Sequence, residues 1–383
     1  MIDAVAVAAA PNVAARDEER GMKAVVGRTE SHYQRTNETP GVIHGWEDGL
    51  RTGAADGTFE WWYFDGHLDD GSVLTIEFHT KPPYVSPKAP LTPFVLVTLT
   101  RADGSRLEKT YLGKPTEFSA ATDACDVRIG PNVFRIEDRH YEIHVELDEF
   151  TVDLTLTPQV PPWRPESGFL YFGADEEHYI AWLPVVARGA VEATLTVDGR
   201  TTASSGLGYH DHNWGNIAPR KVLDHWYWGR ALLGDYTIVS LTFVVNDNYG
   251  GTTVPVLLIA RGSEIVAARV GDGVEVVTAD RSIHPDSGVP VDRRVQYSIE
   301  ESGTTYTVTF RYTADIFRID FGQHGAYHRF LGDVDLIQTR DGHAEALSAK
   351  TVWELLYFGE RSHPPVDVTP VSEERPLIIG HQA

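Results

Sequence analysis

Apolar positions along this chain recur at every second residue in short runs, and almost nowhere at helical spacing. In residues 72–78, Leu74, Ile76 and Phe78 share one face while Thr75 and Glu77 share the other, the period of a half-buried strand. Similar runs occupy residues 94–100, 150–157, 191–197, 305–312 and 316–321. Between them stand Asp69-Asp70-Gly71, Asp103-Gly104 and Asp198-Gly199, where glycine accepts the positive φ of a tight hairpin. Long amphipathic helical stretches are missing. The pattern predicts an all-β chain of antiparallel strands, with sandwiches and up-and-down barrels as the leading architectures.

An aromatic box occurs twice. Glu60-Trp61-Trp62-Tyr63-Phe64 is followed by Leu68, a turn and residues 73–78; His225-Trp226-Tyr227-Trp228 is followed by Leu232, a turn and residues 238–243. Aligning Trp62-Tyr63-Phe64 on Trp226-Tyr227-Trp228 places Leu68 on Leu232 and, with one extra residue in the second turn, Phe78 on Phe243. Each box is expected to open a β domain, the first over residues 51–218 and the second over 219–361, with a Pro-containing tail at 362–383. Residues 1–50 mix charge, Pro and Gly with little periodicity and are expected to form an extended arm, regular structure starting near Phe59. The alanine-rich start has Asp3 where a secretion signal needs a basic residue, and Pro11 interrupts its apolar run. It reads as a flexible leader on a cytoplasmic protein.

The composition, 42% hydrophobic and 10% aromatic, supplies material for a packed core. The charge, 33 − 55 = −22, argues against nucleic-acid and anionic membrane partners, since both would repel the chain. The strongest apolar runs, such as residues 238–245, are strand-length, well short of the ~18 residues of a membrane span. The single cysteine, Cys125, excludes an intramolecular disulfide and thiolate-rich metal sites. The sequence holds no G-x-G-x-x-G after a strand, no phosphate-binding P-loop, no G-x-S-x-G elbow and no H-E-x-x-H. Nucleotide cofactors and serine hydrolysis are disfavoured, which points to a reaction without a cofactor or to simple ligand binding.

The densest polar cluster is Gly206-Leu207-Gly208-Tyr209-His210-Asp211-His212-Asn213-Trp214-Gly215-Asn216. Extended, it sends His210, His212 and Trp214 to one side and Asp211 and Asn213 to the other. One histidine can exchange a proton near neutral pH, with a neighbouring carboxylate or amide fixing its tautomer; equally, these groups can serve to satisfy buried backbone where the chain crosses between domains. His210 and His212 can reach one ion, with His225, Asp211 or Glu60 completing its shell, but His-x-His alone is a weak signal and no metal is expected. The aromatic boxes, with a later cluster at Val352-Trp353-Glu354-Leu355-Leu356-Tyr357-Phe358-Gly359, either fill barrel interiors and interfaces or line a pocket for a polyunsaturated ligand. Glu60, Glu77 and Glu354 are flanked by apolar residues, and burial would make them acids.

The Glu60–Phe64 box, the Gly208–Gly215 segment and the Trp353-Glu354 cluster together resemble the carotenoid 1,2-hydratase (hydroxyneurosporene synthase) superfamily, which also contains the lipocalin-like Diels–Alderases of polyketide biosynthesis. The resemblance covers roughly residues 55–360, and His-Asp-His-Asn-Trp is its most specific element. It implies two lipocalin-like antiparallel β-barrel domains side by side, with a ligand pocket at or near their junction. The hydratases of this group protonate a terminal alkene, using a His-x-Trp pair and a downstream tyrosine and aspartate. His212 and Trp214 fit the pair, but the nearest downstream candidates, Asp235 and Tyr236, lie in a turn in the opposite order. A pericyclic reaction asks less of the residues, because folding a flexible polyene into its reactive conformer can itself supply on the order of 7–11 kcal/mol. The favoured expectation is a cofactor-independent cyclase or pericyclase, catalysing [4+2] cyclisation or a related isomerisation of a hydrophobic polyunsaturated polyketide-type intermediate. A hydratase-like lyase and a non-catalytic lipophile carrier are the alternatives. The residues expected to act are His212, Asn213, Tyr63, Tyr227 and Glu60; those expected to bind substrate are Trp62, Trp214, His210, Trp226, Trp228, Trp353 and Tyr357.

Overall fold

The computed structural model describes residues 23–55, 57–82 and 90–359, with His324 described by its backbone. The leader and the tail expected at 362–383 lie outside the described residues. In order, the first part contains β1 (Ala24–Val26), α1 (Glu30–Thr36), β2 (Phe59–Leu68), β3 (Val73–His79), β4 (Phe94–Thr100), β5 (Arg106–Leu112), β6 (Phe118–Ala120), β7 (Asp126–Ile129), β8 (Asn132–Glu137), β9 (His140–Leu147), β10 (Phe150–Pro158), β11 (Phe169–Phe172), β12 (His178–Val197) and β13 (Arg200–Gly215). After α2 (Pro219–Val222) come β14 (Leu223–Leu233), β15 (Tyr236–Val245), β16 (Thr253–Arg261), β17 (Glu264–Val270), β18 (Val274–Ile283), β19 (Pro290–Glu301), β20 (Thr304–Asp320), β21 (Ala326–Arg340) and β22 (His343–Tyr357).

These strands form two antiparallel sheets. The first runs β5-β4-β3-β2-β13-β12-β10-β9-β8-β7-β6, with β11 and β1 added beside β12; the second runs β17-β16-β15-β14-β22-β21-β20-β19-β18. In each, the first long aromatic strand pairs both with its hairpin partner and with the last strand, β2 with β3 and β13, and β14 with β15 and β22. One apolar cluster gathers Trp62, Leu74, Val95, Val127, Phe134, Ile143, Leu154, Leu183 and Trp214 from strands across the first sheet, so that sheet curls around them. Tyr227, Ile238, Leu257, Val295, Val308, Phe330 and Leu355 do the same for the second. Each is a lipocalin-like barrel whose two edge strands are joined by no ladder among the described residues. A third cluster, with Phe59, Leu170, Trp182 and Tyr209 from one sheet and Trp228, Leu241, Val256 and Leu258 from the other, binds the barrels side by side.

Three local readings change. Residues 305–312 and 316–320 belong to one strand, β20, with Phe321 just past its end; the strand carries register shifts at Tyr312/Ala314 and Asp315/Phe317, and a bulge breaks the alternation without ending the strand. Regular structure begins well before Phe59: Thr29 caps α1, and the 3₁₀ turn Gly45–Asp48 buries Glu47 and Asp48, Glu47 pairing with buried Arg164. The two aromatic boxes match one residue out of phase. Trp62 and Phe78 point into the first barrel, whereas their aligned counterparts Trp226 and Phe243 pack at the junction, because a shift of one residue exchanges the faces of a strand. Gly206 keeps β13 tight on β2, since a Cβ there would lie 2.2 Å from the His67 carbonyl oxygen.

Candidate active site

Alternation along β2 and β14 determines what the junction receives. Even-numbered Glu60, Trp62 and Phe64 enter the first barrel, leaving Phe59, Trp61, Tyr63 and Asp65 on its outer face. From β14, Tyr227 and Ala231 enter the second barrel, while Trp226, Trp228 and Arg230 face the first. Where the outer faces part, they leave a cavity of about 150 Å³ lined by Trp61, Tyr63, Trp226, Ile316, Phe317, Tyr327, Arg329 and Glu354 among others. A second cavity of about 100 Å³ is lined by Trp182, Asp211, Asn213, Trp228, Leu241 and Phe243, and it shares Trp61, Tyr63, Trp226 and Glu354 with the first. The result is one aromatic cleft in two lobes.

Polar and charged groups stand among the aromatic ones, and the central ones are tied to partners. Arg329 Nη2 donates to the Tyr63 hydroxyl at 3.3 Å. Burial raises the Tyr63 phenol well above its usual range against the opposing pull of Arg329, so it remains a protonated donor. Burial works against the Arg329 charge, but the surrounding Tyr63, Tyr327, Glu354 and Asp65 hold it firmly cationic. Among the described residues no carboxylate comes within 4.0 Å of that guanidinium. Glu354 accepts from Tyr327 Oη at 2.7 Å; burial raises its carboxyl, and Arg329, Tyr327 and Trp226 only partly offset this. In the other lobe Asp211 accepts from Trp182 Nε1 at 2.7 Å, Tyr209 Oη at 2.8 Å and Asn213 Nδ2 at 2.7 Å, and burial lifts it to about 6 despite these bonds. His79 stacks between Trp61 and Phe94 and lies 2.8 Å from Glu77.

The structure divides the expected residues between three places. Tyr63, Asn213, Trp226 and Trp228 line the junction cleft, and Trp214, whose ring packs in the first barrel's core against His212, only borders its second lobe. His210, His212, Glu60 and Trp62 lie in the first barrel's interior: His212 Nε2 is 2.8 Å from Glu60 Oε1, and its ring stacks on Trp62 with centroids 4.6 Å apart. Tyr227, Trp353 and Tyr357 belong to the second barrel's core, Tyr227 Oη accepting from the Asp292 amide at 2.8 Å. The alternation of β13, read correctly, already separates His210 and His212 from Asp211 and Asn213; which side meets the second barrel is decided by packing. Sequence reasoning passed over Trp182, Phe317, Tyr327 and Arg329. The only signal for Arg329 was its two-residue spacing from Tyr327 on β21, and a charged residue at such a position ordinarily faces water.

The Diels-Alderase-like family model matches residues 53–322. The chain belongs to the Diels-Alderase-like family. The resemblance carried by the aromatic box and the His-Asp-His-Asn-Trp segment therefore holds. This Diels-Alderase-like chain is 28% identical over 212 residues to the quinolone epoxide rearrangement protein asqO of Emericella nidulans, covering 50% of this chain and 55% of that protein. It is 24% identical over 212 residues to a hydroxyneurosporene dehydrogenase of Chlorobaculum tepidum, covering 46% and 54%. The chain thus spans about half the length of the curated relatives it matches. The solved structure of CghA superposes with a TM-score of 0.60 at 13% identity, over 89% of this chain and 100% of that one, a likeness of fold.

Proposed function

We propose that this chain is a cofactor-independent cyclase of secondary metabolism, acting in the cytoplasm on a polyunsaturated, carbonyl-bearing polyketide-type intermediate bound between the two barrels. The observation that carries the reading is the Tyr63–Arg329 pair inside an aromatic cleft. A phenol that accepts from a guanidinium becomes a stronger donor, because hydrogen bonds in series polarise one another. Aimed at a carbonyl conjugated to an alkene, it withdraws electrons from the dienophile in surroundings where water does not compete. Trp61, Trp226 and Phe317 supply walls against which a chain can fold, bringing diene and dienophile together. In a [4+2] closure two σ bonds form at the expense of two π bonds, so the mass is unchanged and no redox partner is needed. Family membership and the asqO relationship support an isomerising reaction.

A second reading, water addition to an alkene, is favoured by Glu354. A carboxyl whose proton affinity burial raises, beside the Trp226 ring, can deliver a proton and let the ring face stabilise the resulting cation. Incubating the pure chain with linear polyene precursors and following mass and retention separates the readings. An isomer of unchanged mass establishes the cyclase, and gain of one water establishes the hydratase. Unchanged substrate with every precursor tried, under conditions where it binds, would sink both.

A further inference from the structure

The interior of the first barrel holds a second cluster of ionisable groups, which the proposed reaction does not use. Asp48 reaches it from the 3₁₀ turn Gly45–Asp48, His210 and His212 from the inner face of β13, and Cys125 from the residue before β7; all four are buried. Ligating atoms of Asp48, Cys125 and His210 lie within 4.8 Å of one another, and His212 Nδ1 is 3.6 Å from Asp48 Oδ1. A tetrahedral zinc, with bonds of about 2.0–2.3 Å, places its ligand atoms roughly 3.3–3.8 Å apart, so modest closing brings Asp48, Cys125 and His210 onto one ion, while His212, which stands outside that 4.8 Å group, has to swing in further to complete the shell.

Hydrogen bonding fixes where the imidazole protons sit. His210 Nδ1 is 2.9 Å from the Tyr63 carbonyl oxygen, which can only accept, so Nδ1 carries an N–H; Nε2 lies 3.1 Å from Asp48 Oδ2, a hydrogen bond whose proton a bound ion would displace. His212 Nε2 faces Glu60, whose carboxylate already accepts from the Arg51 and Thr52 amides and the Thr52 hydroxyl, so Nε2 carries the N–H and Nδ1 turns its lone pair toward Asp48. His212 Nδ1 and Asp48 Oδ1 have no hydrogen-bond partner among the described residues. The His212 Nδ1 lone pair and the Asp48 Oδ1 lone pairs, 3.6 Å apart, repel one another unless a cation sits between them. Carbonyl or carboxylate groups holding the outer N–H of each ring are also how metal-ligating imidazoles are oriented. Tyr141 donates to Asp48 Oδ2 at 2.8 Å and fixes the carboxylate.

A second His/Asp cluster among the described residues, His284, Asp315 and His328, shows the contrast. There His284 Nδ1 accepts from the Asp286 and Ser287 amides, both at 3.3 Å, so its Nε2 carries the hydrogen and donates to Asp315 at 2.6 Å. That group is closed by its own hydrogen bonds.

We propose that Asp48, Cys125, His210 and His212 form a structural zinc site that fastens the 3₁₀ turn to β13, behind the wall of the cleft rather than within it. One carboxylate, one thiolate and two neutral imidazoles give a borderline-soft donor set whose two negative charges balance Zn²⁺, with the Cys125 thiol proton and the proton of the His210–Asp48 hydrogen bond released to solvent on binding. Metal analysis of the untagged full chain, before and after chelation and Zn²⁺ readdition, is expected to find one zinc per chain and a melting temperature that falls on chelation and recovers on readdition. Co²⁺ in place of zinc is expected to give a thiolate-to-cobalt charge-transfer band, absent in Cys125→Ser, and His210→Ala is expected to lose the ion. Wild-type chain that takes up neither Zn²⁺ nor Co²⁺ overturns the proposal, whether or not the variants fold. So does a Co²⁺ complex without the thiolate band, the result if His210 and Asp48 merely share a proton.

Discussion

Burial raises the Glu354 carboxyl above its ordinary range by more than Arg329 and Tyr327 lower it. If it acts as the acid of an alkene protonation, turnover of the wild-type chain declines as pH rises through the elevated folded value, and Glu354→Gln lowers kcat by about 10²-fold with KM little changed. For the cyclase, the sensitive position is Tyr63. Tyr63→Phe removes the polarising donor and is expected to cost about 10²-fold in kcat, read by single-turnover kinetics, while Glu354→Gln leaves the rate within a few-fold. Glu38 is a residue-scale effect on stability alone. Burial lifts it to about 7, ahead of the opposing influence of Arg164, so the folded chain holds a proton there that the unfolded chain releases near pH 4. The associated stability is complete below the unfolded value and is lost as pH rises through about 7. Glu38→Gln should therefore melt like wild type below about pH 4 and higher than wild type above pH 8. Tyr63, Trp226 and Glu354 were legible in the sequence because aromatic and acidic residues inside apolar runs stand out. Arg329 was not, since its chemistry depends on what β21 packs against.

At the scale of elements, period-2 runs bounded by Asp-Gly turns identified strands well, as with Phe94–Thr100, and missed what irregularity does to them. β20 is the instructive case. Its bulges are flanked by Asp315, which accepts from His284 Nε2 at 2.6 Å and faces His328 Nδ1 at 3.1 Å. Burial alone would raise Asp315, but the hydrogen bonds from His328 and His284 outweigh it and bring it down to about 2. A depressed carboxyl contributes stability that is complete above the unfolded value near 4 and is lost as pH falls through about 2. Asp315→Asn is expected to lower the melting temperature at pH 7 and to flatten the acid limb between about 4 and 2, measured by thermal melts across that range. A limb of unchanged slope would show that the bulge is held by backbone pairing alone. The arm was misread for a related reason. α1 is seven residues long, too short for periodicity, and the burial of Glu47 and Asp48 depends on distant partners, Arg164 and Tyr141.

For the molecule as a whole, the site exists only while the barrels stay seated on one another. Across the contact Arg230 of β14 pairs with Asp65 of β2, both buried. Removing one member leaves the other charge without its partner, at a cost of about 3–5 kcal/mol, whereas exchanging both for apolar groups can be nearly neutral. Arg230→Ala is expected to destabilise by that amount in denaturant unfolding, and Arg230→Met with Asp65→Leu to recover most of it. An additive double variant would mean that the pair is not coupled. The side-by-side arrangement followed from the resemblance, while the facing surfaces did not, because the repeat alone places Trp226 on the wrong side of its strand. The alternation of β2 has a further consequence. Each strand that borders the cleft gives every second side chain to the cleft and the intervening ones to a barrel interior. The specificity of such a molecule can be rewritten one position at a time, with the neighbouring residue left to hold the barrel together. A lineage built this way can change what it accepts while keeping the same two bodies.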